Sequence, residues 1–341
     1  MIKTLPLGEI LPDIPEPHRN LFSSPEWLTV IDQTYRPNLF MKCIERDWKA
    51  GSYIIYAVVR NFLEWKICVC SYCDYFDCGV TSFDDWEEFF AELRREYPEY
   101  RIAVRNLRDE NVRRVKGLKE LSRERFHILD IRENLDAVWR RAHDSFKAAV
   151  NQAADRKGVT VRTGGRAELD KFYRMHLEVR RRKYKIFPQP FRLFENIWRE
   201  YMEKDKGVLL AAYSPGGKMI AANIYLFCGD TAYYKFNTSS QDALQYRPNN
   251  LLFWEGVKAA KARGLEFIDL GSSGYDQEGL IRYKNHTGAR MIDIHHLGYT
   301  PPDYKPSQKR ILRMWTWLFT RPWVPVPMVR FGSQVIYPYL A

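Results

Sequence analysis

The stretch from Gly207 to Leu270 constrains the fold most, because strand-like and helix-like periodicities follow one another there with turn residues between them. Gly207–Tyr213 (GVLLAAY) is a short apolar run. Ser214–Gly217 (SPGG) supplies a tight turn, since Pro presets a negative φ and Gly accepts a positive one. Lys218–Cys228 (KMIAANIYLFC) is apolar on both faces, as a central strand covered on both sides should be. After a turn at Gly229–Asp230, Thr231–Thr238 alternates. Thr231, Tyr233, Lys235 and Asn237 are expected on one face and Ala232, Tyr234 and Phe236 on the other. A polar loop leads to Pro248 near the start of a helix, where a missing N–H does no harm. Phe253, Gly256, Val257 and Ala260 form its apolar stripe, and Glu255, Lys258 and Lys261 its wet side. Gly264 stops the helix, and Leu265–Leu270 (LEFIDL) is the next strand.

Residues 269–290 then read DLGSSGYDQEGLIRYKNHTGAR. A strand ending Asp269-Leu270-Gly271 is followed by a small-residue loop. Gly279-Leu280, Arg282-Tyr283-Lys284 and Gly288 come next. With these motifs the chain resembles the Fem-type, GNAT-related N-acyltransferases, a family that includes the peptidoglycan-bridge aminoacyltransferases. The resemblance runs roughly from Ser23 to Gly298, and its motif marks the superfamily rather than the substrate. One departure is His286-Thr287-Gly288, where bridge-forming members usually carry a Gly-aromatic-Gly run.

The resemblance implies an α/β (α+β) fold: two tandem GNAT-like domains, each a mixed, mostly antiparallel sheet flanked by helices. The expected division is 1–125 for the first domain, 126–300 for the catalytic second domain and 301–341 for a basic, Trp- and Pro-rich helical tail. It implies that Lys284 stabilises the charge developing on an attacked carbonyl, with Tyr283 bordering the donor–acceptor junction. An ammonium fixed in a dry cleft does this far better than one in water. It also implies that the strand 231–238 splays from 265–270, so that a donor's amide chain can pair with freed backbone groups. Tyr233, Lys235, Asn237, Ser272 and Arg282 are candidate donor contacts there. GNAT enzymes usually hold a pyrophosphate on a Gly-rich loop at the next helix N-terminus. Here residues 241–250 contain no Gly, which weakens a coenzyme-A cradle but leaves Arg247 and Asn249 able to meet a phosphate. Among the basic residues Arg180–Lys183, Arg182 and Lys183 are the candidates for a phosphate or carboxylate; a solvated helix end is the alternative. Asp74 and Tyr75 match an Asp-Tyr of the family's first domain.

The net charge of +11 makes an acidic partner plausible: tRNA, coenzyme A, a carrier protein, a nucleotide-linked precursor or an anionic membrane; a merely solvated basic surface is the other reading. The Pro-broken start argues against a secretory signal, and no charge-free window is long enough to span a bilayer. With six Cys and no such signal, reduced thiols and a cytoplasmic location are expected, peripheral to the inner membrane face at most. Cys68, Cys70, Cys73 and Cys78 lack the paired-knuckle spacing of zinc sites, so no metal is expected. His295 and His296 point to opposite faces of a strand, which disfavours joint ligation.

A Pro-rich wrap covers 1–22, and a helix begins at Ser23–Gln33 with Ser24 as cap. Strands cover 40–46, 52–59 and 64–70. Asp84–Tyr97 is a helix capped by Asp84 or Asp85, and Arg101–Leu107 is a strand. The charged stretch 108–125 precedes a strand beginning at Phe126. Single helices are expected over 135–157, 168–185 and 191–204, and a closing strand over 291–299. The tail helix Ser307–Thr320 is basic at its start and apolar almost all round, with Trp315 and Trp317. It suits a membrane interface, packing on the body or a homodimer contact, with packing or self-association preferred.

The function expected is amide formation between an amine acceptor and an activated acyl or aminoacyl donor. Aminoacyl-tRNA, acyl-CoA or an acyl carrier protein would serve as co-substrate, with no tightly bound cofactor. The alternative is a non-catalytic basic module that binds RNA or an anionic membrane on a GNAT-like scaffold.

Overall fold

The computed structural model describes residues 2–6, 20–36, 38–44, 52–61, 64–69, 72–75, 79–80, 82–304, 310–321 and 323–337. Cys70, Cys78 and the start of the tail helix fall outside them. The chain divides into two compact units. Unit 1 comprises 1–125, 292–311 and 335–341, and unit 2 comprises 126–291 and 312–334.

In unit 1, Ile2–Pro6 form strand β1, so the expected Pro-rich wrap begins as sheet instead. Helix α1 (Pro25–Tyr35) starts where Ser24 accepts the Trp27 N–H at 3.2 Å, with Pro25 in the first turn. Strands β2 (Asn38–Ile44), β3 (Tyr53–Asn61) and β4 (Glu64–Val69) make an antiparallel meander. Helix α2 (Phe83–Glu96) follows. Its cap is Ser82, not Asp84 or Asp85; its hydroxyl accepts the Asp85 N–H at 3.1 Å, which leaves both aspartates in the first turn facing the helix dipole. Trp86, Phe89, Phe90 and Leu93 are its buried stripe. β5 (Arg101–Asn106) then pairs parallel with β4, and β12 (Arg290–Tyr299) pairs antiparallel with β5.

Strand β6 (Lys119–Asp130) begins well before the expected Phe126. Its first half falls in the stretch expected only to be charged, and polar side-chain contacts support it: Glu120 Oε2 lies 2.7 Å from His295 Nδ1, and Arg125 pairs with Asp293 at 2.6 Å.

In unit 2 the single helix expected over 135–157 is broken into α3 (Leu135–Arg141) and α4 (Asp144–Asn151), then a π-helical turn, Gln152–Arg156. Ala142 and His143 are extended, and the His143 N–H donates to the His286 carbonyl at 2.9 Å. β7 (Thr160–Thr163), α5 (Arg166–Glu178) and α6 (Phe191–Ile197) follow. Both α5 and α6 end in π-helical turns, Val179–Tyr184 and Trp198–Met202, where uninterrupted helices were expected. β8 (Gly207–Tyr213), β9 (Met219–Cys228) and β10 (Thr231–Ser239) form the second meander, with β7 on the far edge of β8. Helix α7 (Pro248–Ala262) and strand β11 (Phe267–Gly274) complete the strand–helix–strand return, and β11 runs parallel to β10. Helix α8 (Glu278–His286) carries the signature lysine. α9 (Arg310–Phe319) and α10 (Val326–Ile336) form the tail; the second was hidden from the sequence reading by its prolines.

The core of unit 2 lies between α7 and the sheet, with Phe253, Val257 and Ala260 against Ile220, Ala232 and Ile268. Gly256 admits Tyr225: a Cβ there would stand 2.2 Å from the phenol. A large side chain on the sheet thus passes under the helix at the one position without one.

Candidate active site

β10 and β11 do not stay together. Their pairing covers Thr231–Phe267, Ala232–Ile268 and Tyr233–Asp269, and then stops, while both strands continue. Beyond Tyr233, β10 pairs with β9 alone, through a bulge between Tyr234 and Phe236. The bulge corrects the face assignment made from simple alternation. Tyr234 pairs with Tyr225 and Asn237 with Asn223, so Tyr234 and Asn237 share a face; Tyr233, Phe236 and Thr238 share the other. One extra residue, Lys235, shifts every side chain after it by one face.

On β11, the Asp269 carboxylate accepts the Gly271 N–H at 2.6 Å, and Gly271 takes φ +68°. A left-handed backbone here requires Gly. The turn presents the Gly271 and Ser272 carbonyls to Lys284, whose ammonium donates to them at 3.0 and 2.9 Å. Lys284 is 3% exposed. Asp-Leu-Gly and the distant lysine of the signature are thus one device, in which a cation is fixed against the part of β11 that has left β10. Next to it, Asn285 Oδ1 lies 3.0 Å from buried His127 Nε2. The Tyr283 hydroxyl donates to the Asn249 carbonyl at 3.3 Å, and burial pushes its phenol pKa well up, as it does for Tyr225 and Tyr234.

A cavity of about 320 Å³ lies beside the freed part of β10. Arg182, Lys183, Asn237 and Asn249, each a candidate from the sequence, line it together. Glu178, Tyr184 and the run Thr238–Gln241 also line it and were not singled out. The only sequence signal for them was a polar Ser239-Ser240 pair at a strand end. Arg182, Lys183 and Tyr184 belong to the π-helical turn after α5, an irregularity often found at functional sites. Thr238 Oγ1, Ser240 Oγ and Asn249 Oδ1 are buried without a hydrogen-bond partner in the protein. A buried polar atom costs about 1–3 kcal/mol until a ligand or water satisfies it.

The other candidates lie elsewhere. Lys284, Tyr283 and Ser272 are at the divergence but do not line this cavity, and Asn249 connects the two through its bond to Tyr283. Arg247 is exposed at the N-cap of α7 with φ +51°, and no side chain caps that helix. Tyr233 is buried at the last β10–β11 pair, Lys235 is half-buried at the bulge, and Arg282 is exposed on α8.

His286, at the departure from the bridge-forming pattern, stacks on His143 with ring centroids 4.2 Å apart. Ser145 Oγ lies 2.9 Å from the Nδ1 of each. Burial, His143 and Arg282 lower the His286 pKa. Gly288, at φ +86°, lets the end of α8 pass close to the Arg141 carbonyl. In unit 1, Tyr75 is buried against Phe22. Among the described residues no cluster of metal-ligating side chains occurs.

Residues 140–285 match the family model described as the acetyltransferase (GNAT) domain. The crystal structure of FemX superimposes with a TM-score of 0.65 at 14% identity, covering 94% of this chain and 100% of that one. The chain carries a GNAT acetyltransferase-type domain over residues 140–285 and has the fold of FemX. Two further structures share this fold. The C-terminal domain of a putative lysylphosphatidylglycerol synthetase from Agrobacterium fabrum matches at TM-score 0.56 and 11% identity, over 86% of this chain and 91% of that chain. A tandem GNAT protein from the clavulanic acid biosynthesis pathway matches at 0.55 and 11%, over 90% and 100%. No curated protein matches the chain by sequence. Among the described residues no helix is long and apolar enough to cross a membrane.

Proposed function

We propose that the protein joins an amine to an activated acyl or aminoacyl group at the β10–β11 divergence. The observation that carries this reading is the early end of the pairing at Tyr233–Asp269. It leaves a strand edge on β10 for a donor's amide groups and a fixed ammonium on the β11 side. The donor chain lies along Tyr234–Ser239, with Asn237, Thr238 and Ser240 offering hydrogen-bonding groups. Its phosphate meets Arg182 and Lys183, with Arg247 and the uncapped start of α7 beyond Asn249. Glu178 on the same wall is the complement of an ammonium, carried by an aminoacyl donor or by the acceptor amine.

The amine nitrogen attacks the donor carbonyl carbon and the carbonyl oxygen becomes an oxyanion. Lys284 stabilises that charge in place, because its own carbonyl contacts already hold it still. The carbon–leaving-group bond breaks, giving an amide and a free thiol or ribose hydroxyl; the amine proton leaves through solvent or a substrate phosphate to the leaving group. Tyr283 spaces the lysine from Asn249 and so from the cavity. Proximity supplies much of the rate.

The phosphate-bearing donor is the shared chemistry of aminoacyl-tRNA, acyl-CoA and an acyl carrier protein. Direct binding of each to the intact chain separates them. The double variant Arg182→Ala, Lys183→Ala should weaken binding of the true donor at least tenfold. Unchanged binding of all three donors would remove the cavity from the account.

A further inference from the structure

The tail segment of unit 2 has two unlike faces. Its inner face is fixed. Phe319 packs on Phe187 with ring centroids 5.3 Å apart, and Gly332 lets α10 come close, since a Cβ there would stand 2.6 Å from the Phe319 ring. Val324, Val329 and Ser333 are buried. Arg181 donates to the carbonyls of Arg321 and Val324, at 2.5 and 2.8 Å, so the connection between α9 and α10 is clamped to the π-helical turn that carries Arg182 and Lys183. Arg330 sits over the rings of Tyr173 and Phe191.

The outer face is apolar and largely exposed, with the Arg321 guanidinium 4.1 Å over the Trp317 ring. Trp317 is 56% exposed, Trp323 68% and Phe331 71%, with Met314 and Met328 also exposed. Large apolar side chains grouped in this way mark an interaction surface. Charge identifies the partner. From Tyr304 to the last residue the sequence contains Lys305, Lys309, Arg310, Arg313, Arg321 and Arg330, and no Asp or Glu. A second copy docked through the same patch would bring cations against cations without one carboxylate from this segment to offset them. An anionic bilayer supplies the missing charge, and its headgroup layer suits Trp, whose ring is apolar with one polar edge.

We infer that the outer face of α9 and α10 docks on an anionic phospholipid surface. The hairpin lies in the headgroup layer, since among the described residues no helix is long and apolar enough to cross. The Arg181 clamp joins the docked hairpin to the wall of the cavity.

The test is co-sedimentation of the full chain with vesicles of phosphatidylcholine alone or with about one third phosphatidylglycerol, in low and in high salt. Binding is expected only to the anionic vesicles, weakening in high salt. The variant Trp317→Ser, Trp323→Ser, Phe331→Ser changes side chains that are mostly in solvent, so it should fold, with unchanged far-UV circular dichroism, and bind at least tenfold more weakly. No binding of the native chain to anionic vesicles at low salt would overturn the inference. So would equal binding by the triple variant. A native dimer that the triple variant converts to monomer, without vesicle binding, would assign the face to a second copy and overturn it as well. No outcome depends on transferase activity, so the donor assignment stands or falls separately.

Discussion

The two units each contain a parallel seam between the last strand of a meander and the strand that returns after a helix. In unit 1 the seam of β4 with β5 runs from Lys66–Arg101 to Val69–Val104, the last described residue of β4. In unit 2 the seam of β10 with β11 ends at Tyr233–Asp269, while β10 continues to Ser239. The same order of elements therefore gives a strand paired through its last described residue in one unit and a divergence in the other. Three local features accompany the difference. They are the bulge at Lys235, the left-handed Gly271 held by Asp269, and the Lys284 ammonium on the Gly271 and Ser272 carbonyls. The second seam adjoins a cavity lined with cations and unpartnered polar atoms. In the proposed function the first seam serves stability and the second serves chemistry.

The largest effect is expected from the cation itself. Lys284→Met keeps most of the buried stem and removes the charge. Single-turnover amide formation should fall about 100- to 1000-fold, the usual loss for one oxyanion donor, with donor affinity within about threefold. Turnover at the native rate would reduce Lys284 to a strut that holds the strands apart.

Acid should separate the units next. His176 in unit 2 is 3% exposed, lies 2.8 Å from the Gln189 side chain, and is pushed down to about 3 by burial, then by the nearby Arg180 charge. The unfolded chain therefore takes up this proton first. Unit 2 keeps its full stability above about pH 6.5 and loses roughly 1.4 kcal/mol per pH unit below it, until the folded form also protonates. Urea titrations at pH 7.5 and 5 should differ by about 2 kcal/mol from this group, and His176→Gln should remove that difference. An unchanged slope would mean that the imidazole is not kept neutral.

A smaller effect tests the seams directly. Gly271→Ala forces a Cβ into a left-handed backbone and should cost about 1–2 kcal/mol, moving a carbonyl off Lys284 and lowering turnover. Val104→Ala in the unit 1 seam should lose a similar amount of stability by leaving a small cavity, with turnover unchanged. If both variants slowed the reaction equally, the two seams would not differ in role.

Much of unit 2 was legible in the sequence because its signals are local. The GVLLAAY run, the SPGG turn, Pro248 and the Gly264 stop each specify their own backbone, and the strands and helix appear close to where they were read. Lys284 was singled out through its motif, and Arg182, Lys183, Asn237 and Asn249 each on separate grounds; that the last four line one cavity was not legible. The bulge at Lys235 was not, because alternation continues through it and only the partner strand shows the extra residue. The break at Ala142–His143 was not, because the carbonyl that accepts the His143 N–H belongs to residue 286, far along the chain. The strand half Lys119–Arg125 was missed because its charged side chains are held by Asp293 and His295, partners that hydropathy does not register.

Hydrogen exchange on the native chain, with and without its saturating donor, tests the central claim most directly. Amides of Tyr234–Ser239 on β10 should gain protection when the donor binds, while those of Glu64–Val69 on β4 should not change. Protection confined to the β4 seam, or none on β10 under conditions of turnover, would contradict a donor lying along the open edge.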